Sequence, residues 1–135
     1  MRYVSFMRKG DPMHHNPATA EPAPGLVLGK AVVRAAEALG LTGADLAAVL
    51  GISPASVSRL REGGFTLSGK PFELAACLVR IFRSLDAIVH GDGASMKAWM
   101  AAPNRHLHAV PKDEVRTAQG LVRVMTYLDA ARAPL

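Results

Sequence analysis

Between Leu26 and Leu39, the apolar residues Leu28, Val32, Ala35, Ala36 and Leu39 recur three and four positions apart, which places them on one face of a helix. Gly40 ends that run, and Thr42 with Asp45 three residues later has the form of a capping box that opens a second helix. Gly51 closes this one in turn. Ser53 and Pro54 mark a third start, with a hydroxyl to cap and a proline where a missing N–H costs nothing; Gly63-Gly64 ends it. The longest run opens at Pro71. There Phe72, Ala75, Leu78, Val79, Phe82, Leu85, Ile88 and Val89 recur at helical intervals, and Leu74 and Ile81 widen the stripe. A stripe that broad needs more than one neighbour to cover it, so this helix is expected to serve both halves of the chain. Beyond His90 the pattern predicts a short helix ending before Pro103, a loop, a helical turn from Pro111, and a last helix whose inward face is Leu121, Val124, Met125 and Leu128. Alternating apolar and polar runs are scarce. The predicted fold class is all-α.

Composition agrees: half of the 135 residues are hydrophobic but only 5% are aromatic, a mix that suits closely packed helices better than a sandwich. The net charge of +5 is compatible with nucleic acid, an anionic membrane surface or an acidic partner. It is also spread out, with eight Lys/Arg against five Asp/Glu in residues 1–70 and eight against six in residues 71–135. The lone Cys77 can form neither an internal disulfide nor a cysteine zinc site, and in "FELAACLV" it reads as an inert thiol. No run approaches the ~20 apolar residues of a membrane span, and the N-terminus lacks a signal-peptide core, so a reducing cytoplasm is the expectation. His14-His15 lies in a Pro- and Ala-rich stretch and reads as solvated rather than metal-binding.

The segment "TGADLAAVLGISPASVSRLREG" carries more. Two helices crossing tightly need a small residue near the crossing, for which Ala47 is suited, and a short turn needs positive φ, which Gly51 supplies without steric cost. Leu46, Leu50, Ile52, Val57 and Leu60 form the apolar seam. Counting from Gly43, the small residue is fifth, the glycine ninth and the β-branched Val57 fifteenth. This spacing resembles the Xre-like helix-turn-helix of phage repressors. In such a motif the second helix enters the major groove, so Ser53, Ala55, Ser56, Ser58 and Arg59 are candidates for operator DNA, with Arg59 able to bind guanine in bidentate fashion. Arg61 and Lys70 are candidates for phosphates. The bland alternative is a solvated polar face. Repressors of this kind often carry Gln where this chain has Gly43.

The second half shows no paired carboxylates at useful spacing, no nucleophile with supporting turns, and no phosphate-cradling glycine loop; "HGDGAS" lacks the Lys of a P-loop. His106 and His108 alternate in a loop and read as solvated or capping residues rather than a metal pair. An enzyme is not expected, and no cofactor is. "AWMAAPNRHL", Val110-Pro111 and "TAQGLVRVMTYLDAAR" instead resemble the toxin-binding domain of Xre/MbcA/ParS-type antitoxins, although "HAVP" stands where the family often has Gly-x-x-Pro. The resemblance implies a type II antitoxin that neutralises a RES-type NAD-degrading toxin by covering its active site and represses its own operon. Residues 1–25, rich in Pro, Ala and polar residues, read as a flexible tail, and the resemblance covers the rest: a helix-turn-helix domain over 26–69 and a toxin-binding domain over 70–135, joined by the long helix.

Trp99, Met100, Asn104, Leu107, Tyr127, Arg132 and Leu135 are the candidate toxin contacts, and Met96 and Met125 are further large, adaptable side chains of that half. For Met125 the core is the favoured place, and Pro103-Asn104 reads first as a helix stop with a self-bonding turn. The terminal "DAARAPL" is a candidate plug for a phosphate-binding pocket, with a frayed tail as the alternative. Operators for this motif are two-fold, so a homodimer within a larger toxin–antitoxin complex is expected. The runner-up is a stand-alone repressor whose second half dimerises or senses a ligand.

Overall fold

A computed structural model describes residues 23–133. Among the described residues there are seven helices: α1 (Pro24–Leu39), α2 (Gly43–Leu50), α3 (Pro54–Arg61), α4 (Gly69–Ile88), α5 (Gly93–Ala101), α6 (Pro111–Glu114) and α7 (Ala118–Arg132). No strand occurs among them, and a single antiparallel bridge joins Asn104 to Ala109. None of these helices is long and apolar enough to cross a membrane.

The starts and stops follow from local chemistry. Thr42 Oγ accepts from the Asp45 N–H at 3.0 Å and the Asp45 carboxylate accepts from the Thr42 N–H at 2.9 Å, so the capping box over α2 is closed in both directions. Gly40 and Gly51 end α1 and α2 with φ of 78° and 67°, left-handed values that a Cβ would oppose. Two starts lie earlier than the sequence predicts. Helix α1 opens at Pro24, whose fixed φ suits the first helical position, so the tail boundary placed at residue 25 cuts into the helix. Gly25 is buried there; a Cβ would stand 2.2 Å from the Leu67 carbonyl oxygen. The rest of the proposed tail, His14-His15 included, lies outside the described residues. Helix α4 opens at Gly69 with Pro71 inside its first turn, where no N–H is needed.

The buried side chains make one contiguous cluster running from Val32 in α1 to Leu128 in α7. Helix α4 is its axis, packed on α1, α2 and α7 and touching α5, as its broad stripe requires. Ala75, Leu78, Val79, Ile81 and Leu85 supply its covered face. Each fully buried Leu or Met in this cluster contributes about 1.5–3 kcal/mol relative to exposure. The buried polar exception on α4 is Ser84, fully enclosed, whose hydroxyl donates to Asp129 (3.3 Å) and accepts from Arg132 (3.2 Å). That network ties the end of α7 to α4.

Candidate functional site

Two surfaces present the sequence-predicted residues. The first is built by α2 and α3. Ala47 is 7% exposed at the crossing, and Val57 and Leu60 are buried beneath α3, so the opposite side of α3 faces out. Ser53 caps α3, its hydroxyl accepting from the Ser56 N–H at 3.1 Å and donating to Ser56 Oγ at 3.0 Å. Ser53, Ala55, Ser58 and Arg59 are exposed.

Ser56 departs from the expectation. It is buried at 9%, and its oxygen also accepts from Arg59 Nη2 at 3.1 Å. Its place in the third position of the helix turns a short side chain inward, so it holds Arg59 rather than meeting a base. Arg59 is steadied a second time, its Cζ 5.6 Å from the centre of the Phe65 ring. The Ser58 hydroxyl turns back to the Pro54 carbonyl at 3.3 Å. Arg61 extends over the start of α2: its Nη1 lies 3.1 Å from where a Cβ on Gly43 would stand. Lys70 is remote from that cluster in bonding terms, paired loosely with Glu73 at 3.7 Å on the surface of α4.

The second surface lies on α5, the 102–110 loop and α7. Met96 and Met100, four residues apart, turn inward and are 2% and 0% exposed; Trp99 is rotated about 100° from Met100 and stays half-buried. Its ring stacks on Tyr127 of α7, with centroids 6.3 Å apart and planes at 14°. His106 stacks on the other partner of that pair, 5.6 Å from Tyr127 at 28°. Asn104 holds the loop in place: its side-chain oxygen accepts from the N–H groups of His106 (2.9 Å) and Leu107 (3.0 Å), while its own N–H donates to the Ala109 carbonyl at 2.9 Å. Arg123 clamps the same loop by donating to the Leu107 carbonyl at 2.9 Å while pairing with Glu114. The result is a shelf of three aromatic rings, half-open to solvent, fixed from behind.

Family models match both regions of the chain. Residues 84–133 match the antitoxin Xre/MbcA/ParS C-terminal toxin-binding domain, and residues 19–80 match the antitoxin Xre-like helix-turn-helix domain. A chain of the crystal structure of the M. tuberculosis MbcT-MbcA toxin-antitoxin complex is 30% identical, with a TM-score of 0.59, over 77% of this chain and 92% of that one. The chain belongs to the Xre/MbcA/ParS antitoxin family. No curated protein matches it.

In this antitoxin the two matched regions meet within α4, the helix that both halves share. Of the residues predicted for the toxin-binding half, Trp99 and Tyr127 come together, and Asn104 supports the loop beside them. Met100 and Leu107 do not reach the surface, being 0% and 4% exposed, so they shape the domain from inside and cannot touch a protein docked outside it. Arg132 points the other way, toward Ser84 on α4, and Leu135 lies outside the described residues. Burial pushes the Cys77 thiol upward, which disfavours its thiolate.

Sequence reasoning missed three contributors. His106 joins the aromatic shelf from 21 positions away, Arg123 clamps the loop, and Arg116, just before α7, pairs with Asp45 of the α2 capping box. Burial pushes the Asp45 carboxyl upward, but the hydrogen bonds of Thr42 and the Arg116 guanidinium outweigh it and hold it below the ordinary carboxylate value. No periodicity marks any of these, because each partner lies on a different element.

Proposed function

We propose that this antitoxin neutralises a toxin of the RES type, a NAD-degrading enzyme, by laying the shelf of Trp99, His106 and Tyr127 over the mouth of its active site. The observation that carries the reading is that shelf, lying inside the region matched to a toxin-binding domain. Rigid aromatic rings supply large contact area at low entropic cost and dominate interface energetics, and here Asn104 and Arg123 already hold the loop that presents one of them. The protein acts by occlusion and has no catalytic residue of its own. In the same reading the α3 face represses the shared operon, a homodimer meeting the two halves of an operator. Arg59, its guanidinium steadied by Ser56 and Phe65, reads guanine, and Arg61 and Lys70 bind phosphates.

The test is co-expression of the full chain with the product of the neighbouring gene, followed by co-purification and an assay of cellular NAD⁺. The pair is expected to purify together and NAD⁺ to be restored; Trp99→Ala is expected to bind at least about tenfold more weakly while keeping its helicity. A neighbouring product that neither binds nor consumes NAD⁺ would overturn the assignment. For the operator, binding by the complex at two salt concentrations measures the phosphate contribution, which falls steeply with salt when lysines and arginines carry it.

A further inference from the structure

We propose that the groove between α1, α4 and α7 takes an acidic, amphipathic segment of the toxin, so that the first helix of the helix-turn-helix half shares in toxin capture. This rests on the proposed toxin-binding function and adds a second contact to it. The groove encloses about 940 Å³. Val27, Leu28, Ala31 and Val79 line it, and Val27 is 53% exposed, the most exposed large apolar side chain among the described residues. Three arginines stand on its rim: Arg80, Arg83 and Arg132. The rim's one carboxylate, Asp129, is engaged by Arg80, at 3.0 Å, and by Ser84. On the far side of α1 a second groove of about 640 Å³ shares Val27 and Ala31 and adds Lys30 and Arg34 with one carboxylate, Glu62. Among the described residues, an apolar ridge with cations on both flanks is thereby left open on α1.

Charge selects the occupant. A second copy meeting this surface about a two-fold axis sets arginine against arginine, which costs rather than gains. Residues 1–22 of the same chain bring Arg2, Arg8 and Lys9 against Asp11 and Glu21, again a net positive partner. Nucleic acid answers the arginines but leaves Val27, Leu28 and Ala31 uncovered. A peptide segment with apolar side chains at i and i+3 or i+4 and carboxylates beside them answers both, the arginines binding carboxylates in fork fashion. Continuity points to the toxin as its source, because Asp129, Arg132 and Ala133 on the groove wall belong to the region matched as toxin-binding.

The experiment uses the full chain with its cognate toxin. Val27→Asp and Arg83→Glu, both at exposed positions, are expected to keep the wild-type circular dichroism and each to weaken toxin binding about tenfold by calorimetry; Val27→Leu is expected to keep wild-type affinity. A photo-crosslinking amino acid at position 27 is expected to capture an acid-rich toxin peptide. Unchanged affinity in both charge variants overturns the inference, as does a crosslink to residues 1–22 or to a second copy. Loss of operator binding with toxin affinity intact assigns the arginines to phosphates and overturns it too. A wild-type chain that fails to bind the toxin overturns this contact together with the proposed function, whereas intact wild-type binding with unaltered variants sinks this contact alone.

Discussion

The pairing of Asp45 with Arg116 joins the helix-turn-helix to the turn before α7 across 71 positions of sequence, and a double-mutant cycle isolates it. Asp45→Ala removes two things at once: one arm of the α2 capping box and the ion pair. Arg116→Ala removes the ion pair alone. The Asp45 side chain is 14% exposed and that of Arg116 is 42%, so the pair sits between a surface bridge, at about 0–1 kcal/mol, and a buried one. About 1 kcal/mol of coupling is expected, after allowing for solvent around the guanidinium. The capping arm adds about 1 kcal/mol, so Asp45→Ala is expected to cost ~2 kcal/mol, Arg116→Ala ~1, and the double variant ~2 rather than 3. Urea unfolding at pH 7 reads all three, and Thr42→Ala reports the cap without the ion pair. The pH dependence has a definite sign. Because the folded-state pKa of Asp45 is depressed, its contribution is complete above the unfolded value of ~3.9 and is lost as pH falls through the lower folded value. Single-variant costs that add within ~0.3 kcal/mol at pH 7 would refute the pairing as a link between the halves.

Gly120→Ala is expected to destabilise by about 2 kcal/mol in thermal or urea unfolding, despite the better helix propensity of alanine, because the new Cβ would stand 2.0 Å from the Glu114 carbonyl oxygen, a backbone atom that cannot rotate away. Met100→Ala is expected to cost about 2–5 kcal/mol of stability, and any loss of toxin neutralisation should track the unfolded fraction rather than appear in the folded protein. Arg59→Ala is expected to lose about 1–3 kcal/mol of operator affinity by gel shift at fixed salt with helicity unchanged; equal affinity would remove Arg59 from base reading.

What the sequence discloses here, and what it withholds, follows the range of the interaction involved. The caps of α2 and α3 are legible because each is closed between residues three apart, Thr42 with Asp45 and Ser53 with Ser56. The helix-turn-helix is legible for the same reason, its small residue, glycine and β-branched residue being fixed by one local crossing. Side-chain direction is less local. In α5, Met96, Trp99 and Met100 are all large and apolar, and periodicity alone allows a stripe through Met96 and Trp99 or through Met96 and Met100. The packing of α1 and α4 against α5 decides between them, and it buries Met100 while leaving Trp99 to stack on Tyr127. Leu107 is harder still, since a loop has no period from which to read an inside. Ser56 shows the converse: its hydroxyl in the first turn of α3 is predicted to face DNA, yet it is short enough to tuck beneath Arg59 and satisfy itself there. The link from Asp45 to Arg116 has no signature, because the sequence assigns Asp45 to the α2 cap and leaves Arg116 an ordinary surface charge. Only the shared core, with α4 holding both halves in fixed relation, brings them within reach. The α2 cap and the turn before α7 thus meet over one continuous core.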